Sequence, residues 1–395
     1  MVPPIKFVGA RVALSATHTE RIDVTASGGR ILPFDTRVSA PVEYDLGGHL
    51  LLPGLINAHD HLEFNLFPRL GSGPYPSASE WAADIYHVDR SPIREQLRVP
   101  KRVRLLWGAL KNLLSGVTTV GHHNPYECSV FDRAFPIRVV SRFGWAHSLE
   151  FSPDLVARHA RTPAHWPFVV HAGEGTDERA HREILHLASL GVLRPHTALV
   201  HAVALTHDGI EAMRLNNASI IWCPSSNLFT LGRTLGSRVL RSDLPICLGT
   251  DSAISGAGDL IDELRIARET AGSKPEDLYR MVTHGAARIL KLSEGQGTIR
   301  EGGVADLIAV VDEGHSPAEA LSRLRPELVM VRGRIAMMSV PLTRRLGFSS
   351  SGRFQPIHLE GRGRSFVAAD LASLVDAARQ ALGPDIFLAG KQVVV

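Results

Sequence analysis

Cysteine, lysine and long apolar runs are all scarce in this chain of 395 residues. Its three cysteines, Cys128, Cys223 and Cys247, are too few and too scattered for a disulfide framework, which fits a reducing compartment. No apolar run approaches the ~20 residues that a membrane-spanning helix needs, and the N-terminus lacks the apolar stretch of a signal peptide. We therefore expect a cytoplasmic protein without a membrane segment.

An excess of one charge is also lacking, because 43 Lys and Arg residues face 40 Asp and Glu residues. No stripe of basic residues with interleaved aromatic side chains is present, so the sequence does not support nucleic acid binding. The hydrophobic content of 44% is ordinary for a globular chain, and the length allows one large core with a smaller satellite domain. The expected partner is a small-molecule substrate.

Short apolar segments recur from about residue 49 onward, and helical stretches separate most of them. There are eight such segments, and eight strand–helix alternations predict an α/β fold, a (β/α)8 TIM barrel, over residues 49–302. Residues 1–48 and 303–345 have the alternating texture of short strands, which predicts one small β-sandwich domain built from both chain ends. Residues 346–395 are predicted to be a C-terminal extension of helix and strand that packs on the protein or forms a homodimer contact.

Polar side chains follow the apolar segments where a barrel of this kind carries its catalytic groups, at the C-terminal ends of the strands. His59 and His61 end the first strand. Because they are two residues apart, both imidazoles point to one side, and Asp60 points away. The later strand ends carry His171 and Glu174 (fifth strand), His201 (sixth), Asn227 (seventh) and Asp251 (eighth). Any one histidine is more often a surface or core-rim residue, but this ordered set predicts a shared site.

This pattern resembles the amidohydrolase superfamily, the metal-dependent barrel hydrolases. The segments LLPGLINAHDH, GVTTV and THGAARILKLSEGQGTIREGGVADLIAVV carry the resemblance over most of residues 1–345. The resemblance implies that His59, His61, His171 and Asp251 are metal ligands. Three imidazoles and one carboxylate suit Zn²⁺, and Fe²⁺ fits the same ligands.

The number of metal ions follows from a missing residue. Binuclear members of this superfamily bridge two ions with a carbamylated lysine, or sometimes a glutamate, on the third or fourth strand. No lysine lies between Lys111 and Lys274, and Glu150 is the only acid at the end of the fourth strand. One divalent metal ion per chain is therefore predicted, as in the mononuclear branch.

The motifs HAGE and CPSSN narrow the resemblance to amino-heterocycle deaminases and triazine hydrolases. HAGE matches the H-x-x-E of deaminases, in which the glutamate shuttles a proton to the ring nitrogen and the leaving ammonia. Glu174 would have that role here, while Asp251 would take a proton from the attacking water and His201 would hold the developing charge. Asn227, the last residue of CPSSN, is a candidate substrate contact or an organiser of its loop.

The predicted reaction is hydrolytic deamination of an amino-substituted purine, pyrimidine or triazine by a metal-bound hydroxide. Hydrolysis of a cyclic or linear amide, or of another C–X bond, at the same metal ion is the alternative. A third hypothesis, a catalytically silent binding barrel, predicts gaps in the ligand set, and the sequence shows none.

Further substrate contacts are predicted near the first two strand ends. Glu63 and Arg69 could bind a polar or anionic group of the substrate, or could form a salt bridge with each other. His122 and His123 could contact the substrate or belong to the scaffold. The long segment 62–93 is rich in Pro, Gly and aromatic residues, and it predicts a lid or substrate-binding loop, or a packed excursion of the chain.

Overall fold

The computed structural model describes residues 3–348 and 352–395. The β-strands, numbered β1 to β22 in chain order, are Ile5–Val8, Arg11–Ala13, Thr19–Arg21, Val24–Ser27, Arg30–Ile31, Val42–Asp45, His49–Pro53, Leu55–Asp60, Val117–His122, Arg138–Val139, Gly144–Ser148, Phe168–Ala172, Thr197–His201, Ser219–Trp222, Ile246–Leu248, Leu307–Val311, Leu328–Val331, Arg334–Ser339, Gln355–Leu359, Gly363–Val367, Ile386–Leu388 and Lys391–Val394.

Helices lie between most of the strands in the second half of the chain. The α-helices, numbered α1 to α14, are Ala78–Ile85, Ile93–Arg98, Lys101–Leu114, Leu155–Arg161, Glu178–Ser189, His207–Leu215, Pro224–Leu231, Ser237–Leu240, Leu260–Ala271, Pro275–Val282, His284–Ile289, Pro317–Leu321, Val340–Arg345 and Leu371–Leu382. A 3-10 helix, Leu62–Phe64, follows β8. Within the described ranges, no helix is long and apolar enough to cross a membrane.

Eight parallel strands, β8 to β15, carry the predicted site. They form a three-stranded sheet in the order β10-β9-β8 and a five-stranded sheet in the order β11-β12-β13-β14-β15, so spatial neighbours are also neighbours in the chain. Every residue of β8, β9, β12, β13, β14 and β15 is buried, as expected for parallel strands that are covered on both faces. The predicted α/β class is confirmed.

The first and last of these parallel strands approach each other at the end that carries the histidines. Thr250 and Asp251, directly after β15, donate their backbone N–H groups to the carbonyl oxygen of His59 in β8, at 2.9 and 3.1 Å. A Cβ atom on Gly249 would lie 2.6 Å from the Cβ atom of His59, so the approach requires glycine at this position. The backbone thereby places Asp251 beside the histidines of β8.

The remaining strands form two sheets from both chain ends. One has the order β5-β4-β1-β6, and the other has ten strands in the order β21-β22-β19-β20-β18-β17-β16-β7-β2-β3. A single core cluster contains side chains from both sheets, among them Phe7 of β1, Val24 of β4, Leu51 of β7 and Met330 of β17. The two sheets therefore bury apolar side chains together.

Two sheet memberships differ from the sequence prediction. The segment His49–Pro53, expected at the start of the barrel, is β7 of the ten-stranded sheet and pairs with β16. Gly54 separates this strand from β8, which begins at Leu55. The strands of the extension 346–395 continue the same sheet, since β20 pairs with β18. Residues 349–351 of that extension lie outside the described part of the chain.

Buried ion pairs fasten the C-terminal segment to helix α9. Arg362, between β19 and β20, donates to both carboxylate oxygens of Asp259 at 2.7 and 2.8 Å, and Asp259 caps the N-terminus of α9. Lys391 lies 3.7 Å from the same carboxylate and also pairs with Asp262. Burial alone would raise the pKa of Asp259, but Lys391 and Arg362 together hold it below its ordinary value. The C-terminal segment thus supports the element that follows Asp251.

Replacing Arg362 tests this attachment. Arg362→Met should lower the free energy of unfolding by about 3 kcal/mol, the low end of the range for a broken buried ion pair, because Lys391 still faces Asp259. Arg364→Met, on the exposed surface of β20, is the matched control and should change stability by less than about 0.5 kcal/mol. Equal stability of both variants in urea unfolding would show that the Arg362 pair does not support the fold.

Candidate active site

Three histidines and one aspartate meet where β8, β12 and β15 end. His59, His61, His171 and Asp251 are all buried and could hold a metal ion, since one ligand atom of each lies within 4.8 Å of the others. The Nε2 atoms of His59 and His171 are 3.2 Å apart. Asp251 Oδ1 lies 3.6 Å from His59 Nε2 and 3.5 Å from His61 Nε2. This donor set fits one Zn²⁺ ion, which prefers four nitrogen, sulfur or oxygen ligands.

The protonation state of the histidines also suits a metal ion. The Nδ1 atom of His171 must donate its proton to the carbonyl oxygen of His147, at 2.8 Å, so the lone pair lies on Nε2. Burial, with a smaller effect of neighbouring histidines, lowers the pKa of His59 to about 4 although Asp251 acts to raise it. The same two causes lower the pKa of His171 well below its ordinary value. Both imidazoles therefore stay neutral near pH 7, the form that binds metals.

Two serines hold the other oxygen of Asp251. Ser226 Oγ donates to Asp251 Oδ2 at 2.7 Å, and Ser255 Oγ donates to the same atom at 3.0 Å. Burial alone would raise the pKa of Asp251, but His59, His201 and His61 hold it well below its ordinary value. The carboxylate is therefore ionised, with Oδ1 turned toward the histidines.

Glu174 and His201 lie beside this group. Oε1 of Glu174 is 3.5 Å from Nε2 of His201, and that nitrogen is 4.0 Å from Asp251 Oδ2. The Nδ1 atom of His201 donates to the side-chain oxygen of Asn227 at 2.7 Å, which turns Nε2 toward Glu174. Burial, then the charges of Asp251 and Glu183, raise the pKa of Glu174 well above its ordinary value. Glu174 can therefore hold a proton near neutral pH.

The fold is shared with two zinc-bound structures. An adenosine deaminase from Xanthomonas campestris with bound zinc aligns with a TM-score of 0.68 over 95% of this chain and 97% of its own, at 19% identity. An atrazine chlorohydrolase from Arthrobacter aurescens complexed with zinc aligns with a TM-score of 0.71 over 95% and 99% of the two chains, at 18% identity.

Sequence comparisons show a family and a relative that this chain resembles. The model of the Amidohydrolase family matches residues 155–336. A 5-methylthioadenosine/S-adenosylhomocysteine deaminase of Halobacterium salinarum is 29% identical over 348 residues, which are 73% of this chain and 79% of the relative. Over residues 155–336 the chain therefore resembles the Amidohydrolase family. It is accordingly an enzyme that acts on C–N bonds, as the sequence predicted.

A cavity of about 320 Å³ opens beside Glu174. Its lining includes His147, His171, residues of helix α5 and Ser77–Ser79. The segment Ser77–Ser79 is hydrogen-bonded to the segment that follows β12, because Ala78 N donates to the carbonyl oxygen of Glu174 at 3.0 Å. Segment 62–93 therefore lies at the strand ends, and its role as a lid or substrate-binding loop stays a prediction.

The predicted substrate contacts are mostly engaged with the protein itself. Glu63 lies 3.5 Å from His122 Nε2, whereas Arg69 donates to the carbonyl oxygen of Gly256 at 2.9 Å, so the expected Glu63–Arg69 salt bridge is replaced by these contacts. His123 is fully buried, and its Nε2 donates to the carbonyl oxygen of Ala146 at 3.0 Å. The scaffold interpretation of His122 and His123 agrees with these positions.

Asn227 likewise bonds within the protein. Its amide oxygen accepts from His201, and its amide nitrogen donates to Thr234 Oγ1 at 3.4 Å. The direct substrate contact predicted for Asn227 stays a prediction. The loop-organising alternative agrees better, because the amide turns His201 toward the site.

Sequence reasoning missed the residues that hold Asp251. Ser226 belongs to CPSSN, so that motif could have drawn attention to it. Ser255 lies in a stretch of small residues, and only the folded loop brings its hydroxyl to the carboxylate. The carbonyl oxygen of His147, which orients His171, is a backbone group that no residue type signals.

Removal of one imidazole tests the metal centre. His171→Ala should lower the zinc content of the purified protein well below one ion per chain, because loss of one of four ligands weakens zinc binding. His165→Ala, at an exposed loop position, is the control and should keep its zinc. A full complement of zinc in His171→Ala, measured by atomic emission, would rule out His171 as a ligand.

Proposed function

We propose that this enzyme removes the amino group of an amino-substituted heterocycle by hydrolysis. The observation that carries the proposal is a carboxyl group, Glu174, whose burial favours its protonated form, placed beside a group of metal-ligating residues. Among purines, pyrimidines and triazines, we favour an aminopurine. The name of the H. salinarum relative, a deaminase of adenosine derivatives, supports that preference.

One Zn²⁺ ion per chain, held by His59, His61, His171 and Asp251, belongs to the proposal, and Fe²⁺ is the alternative ion. Zinc bound there would lower the pKa of a bound water to about 7 and so supply hydroxide near neutrality. The donor set supports this assignment, because the imidazoles of His59 and His171 are neutral and the carboxylate is ionised.

Glu174 supplies the proton that deamination needs. Addition of water to the amino-bearing ring carbon breaks the conjugation of the ring, so the ring nitrogen must receive a proton as the C–O bond forms. The protonated carboxyl of Glu174 donates that proton. The resulting carboxylate can then take a proton from the added oxygen and pass it to the amine, which leaves as ammonia while the ring carbon becomes a carbonyl carbon.

His201 and Asp251 complete the proton arrangement. Because Asn227 fixes the proton of His201 on Nδ1, the Nε2 atom faces the site and can hydrogen-bond the attacking water. The ionised carboxylate of Asp251, close to the same nitrogen, can accept a proton from that water. Two serine hydroxyl groups keep this carboxylate in one orientation.

The proposed architecture is a (β/α)8 barrel formed by β8 to β15, with a small β-domain from both chain ends. The backbone hydrogen bonds from Thr250 and Asp251 to His59 support closure between the first and last strands. The core cluster shared by the four-stranded and ten-stranded sheets supports a β-sandwich.

An ammonia-release screen tests the proposed reaction. Purified protein of known zinc content is incubated with aminopurine nucleosides, aminopurines, aminopyrimidines, pterins and triazines. Ammonia release, greatest with an aminopurine compound, is the expected result. Silence across the whole panel from a zinc-loaded protein would contradict deamination and favour hydrolysis of an amide or another C–X bond.

Replacement of Glu174 separates proton transfer from metal binding. Glu174→Gln should keep the zinc but lose about 10²-fold or more in kcat, on the scale of general acid catalysis. Glu211→Gln, which alters a surface ion pair with Arg214 on α6, is the control and should retain its activity. Loss of zinc from Glu174→Gln would make Glu174 a ligand, and unchanged turnover would remove it from the mechanism.

A further inference from the structure

A buried lysine lies behind the metal-ligating residues. Lys111 of α3 is 1% exposed, and its Nζ atom is 2.8 Å from Asp60 Oδ2 and 3.0 Å from Thr250 Oγ1. Lysine is almost never fully buried unless it is paired, because removal of an ammonium group from water is costly. Neither Lys111 nor its two partners has a part in the proposed reaction.

The two partners of Lys111 belong to the two chain segments that build the site. Asp60 lies between His59 and His61 in β8, and its side chain points to the opposite side of the strand. Thr250 directly precedes Asp251. One ammonium group therefore joins the segments that carry three of the four candidate ligands.

The surrounding amides complete the pairing of Asp60. Asn57 and Asn112 donate to Asp60 Oδ2 at 3.1 and 2.7 Å, and Asn65 donates to Oδ1 at 2.9 Å. Asn57 also donates to Thr250 Oγ1 at 2.9 Å. A buried polar network that is well paired holds its members in one arrangement.

The hydroxyl of Thr250 transmits this arrangement to the ligand. Thr250 Oγ1 accepts from Lys111 and donates its own proton to the backbone carbonyl of Asp251 at 3.0 Å. Asp251 has a φ angle of 53°, in the left-handed region that few residues other than glycine adopt. Such a conformation persists only where the surroundings hold it, and the Thr250 hydroxyl is one of the groups that do so.

We propose that Lys111 is a positioning residue for the metal centre. Its ammonium group bridges Asp60 and Thr250 and so sets the spacing between the histidines of β8 and the carboxylate of Asp251. The inference rests on the metal site of the proposed function, but it concerns metal affinity and not the reaction. Zinc-loaded wild-type protein that releases no ammonia would overturn the proposed reaction and leave this inference standing.

The test measures zinc affinity of the full chain by competition with a chelator. Thr250→Val removes the hydroxyl without removing either charge, and it should weaken zinc binding about 10- to 100-fold, the usual effect of losing a group that orients a ligand. Thr250→Ser keeps the hydroxyl and should restore the affinity. Ser219→Ala removes a buried hydroxyl that donates to Thr197, and this matched control should bind zinc as the wild type does.

A second variant tests the charges themselves. Lys111→Met alone would leave Asp60 buried without its cation, so the double variant Asp60→Asn with Lys111→Met is used, which removes both charges. It should fold and show weakened zinc binding similar to that of Thr250→Val. Wild-type zinc affinity in Thr250→Val would overturn the proposal, whether or not the double variant folds, because the bridge would then support only the fold.

Discussion

The close approach of β15 to β8 is the constraint on which the site depends. Gly249 allows the two backbones to meet, and the N–H groups of Thr250 and Asp251 then bond to the carbonyl oxygen of His59. This junction places a carboxylate beside imidazoles that lie almost 200 residues earlier in the chain. The side-chain network around Lys111 lies on the opposite side of β8, where Lys111 connects Asp60 of β8 with Thr250 after β15.

Burial gives the neighbouring groups of the site opposite protonation states. Removal from water disfavours the charged form of any titratable group, so it lowers the pKa of His59 and His171 and raises that of Glu174. Asp251 escapes this effect because three histidines surround it. One buried site thus combines two neutral imidazoles, an ionised carboxylate and a carboxyl group that retains its proton.

Residue type and spacing indicated the strand ends in the sequence, and the family resemblance supplied the candidate ligand set. The sequence did not indicate elements whose bounds depend on a local interruption of backbone hydrogen bonding or on pairing with a residue far away in the chain. Pro100 separates helices α2 and α3, since proline has no backbone N–H to donate. Val367 ends β20, where it pairs with Met337 of β18. The partners of Ser255 and Lys111 follow from tertiary contacts alone.

We propose that a single metal ion is bound by four side chains, which lie in or directly after β8, β12 and β15. Anomalous X-ray diffraction at the zinc edge, from crystals of the zinc-loaded protein, tests it most directly. One strong peak per chain is expected, within coordination distance of His59, His61, His171 and Asp251. A second peak in the same site, or a single peak ligated by other residues, would contradict it.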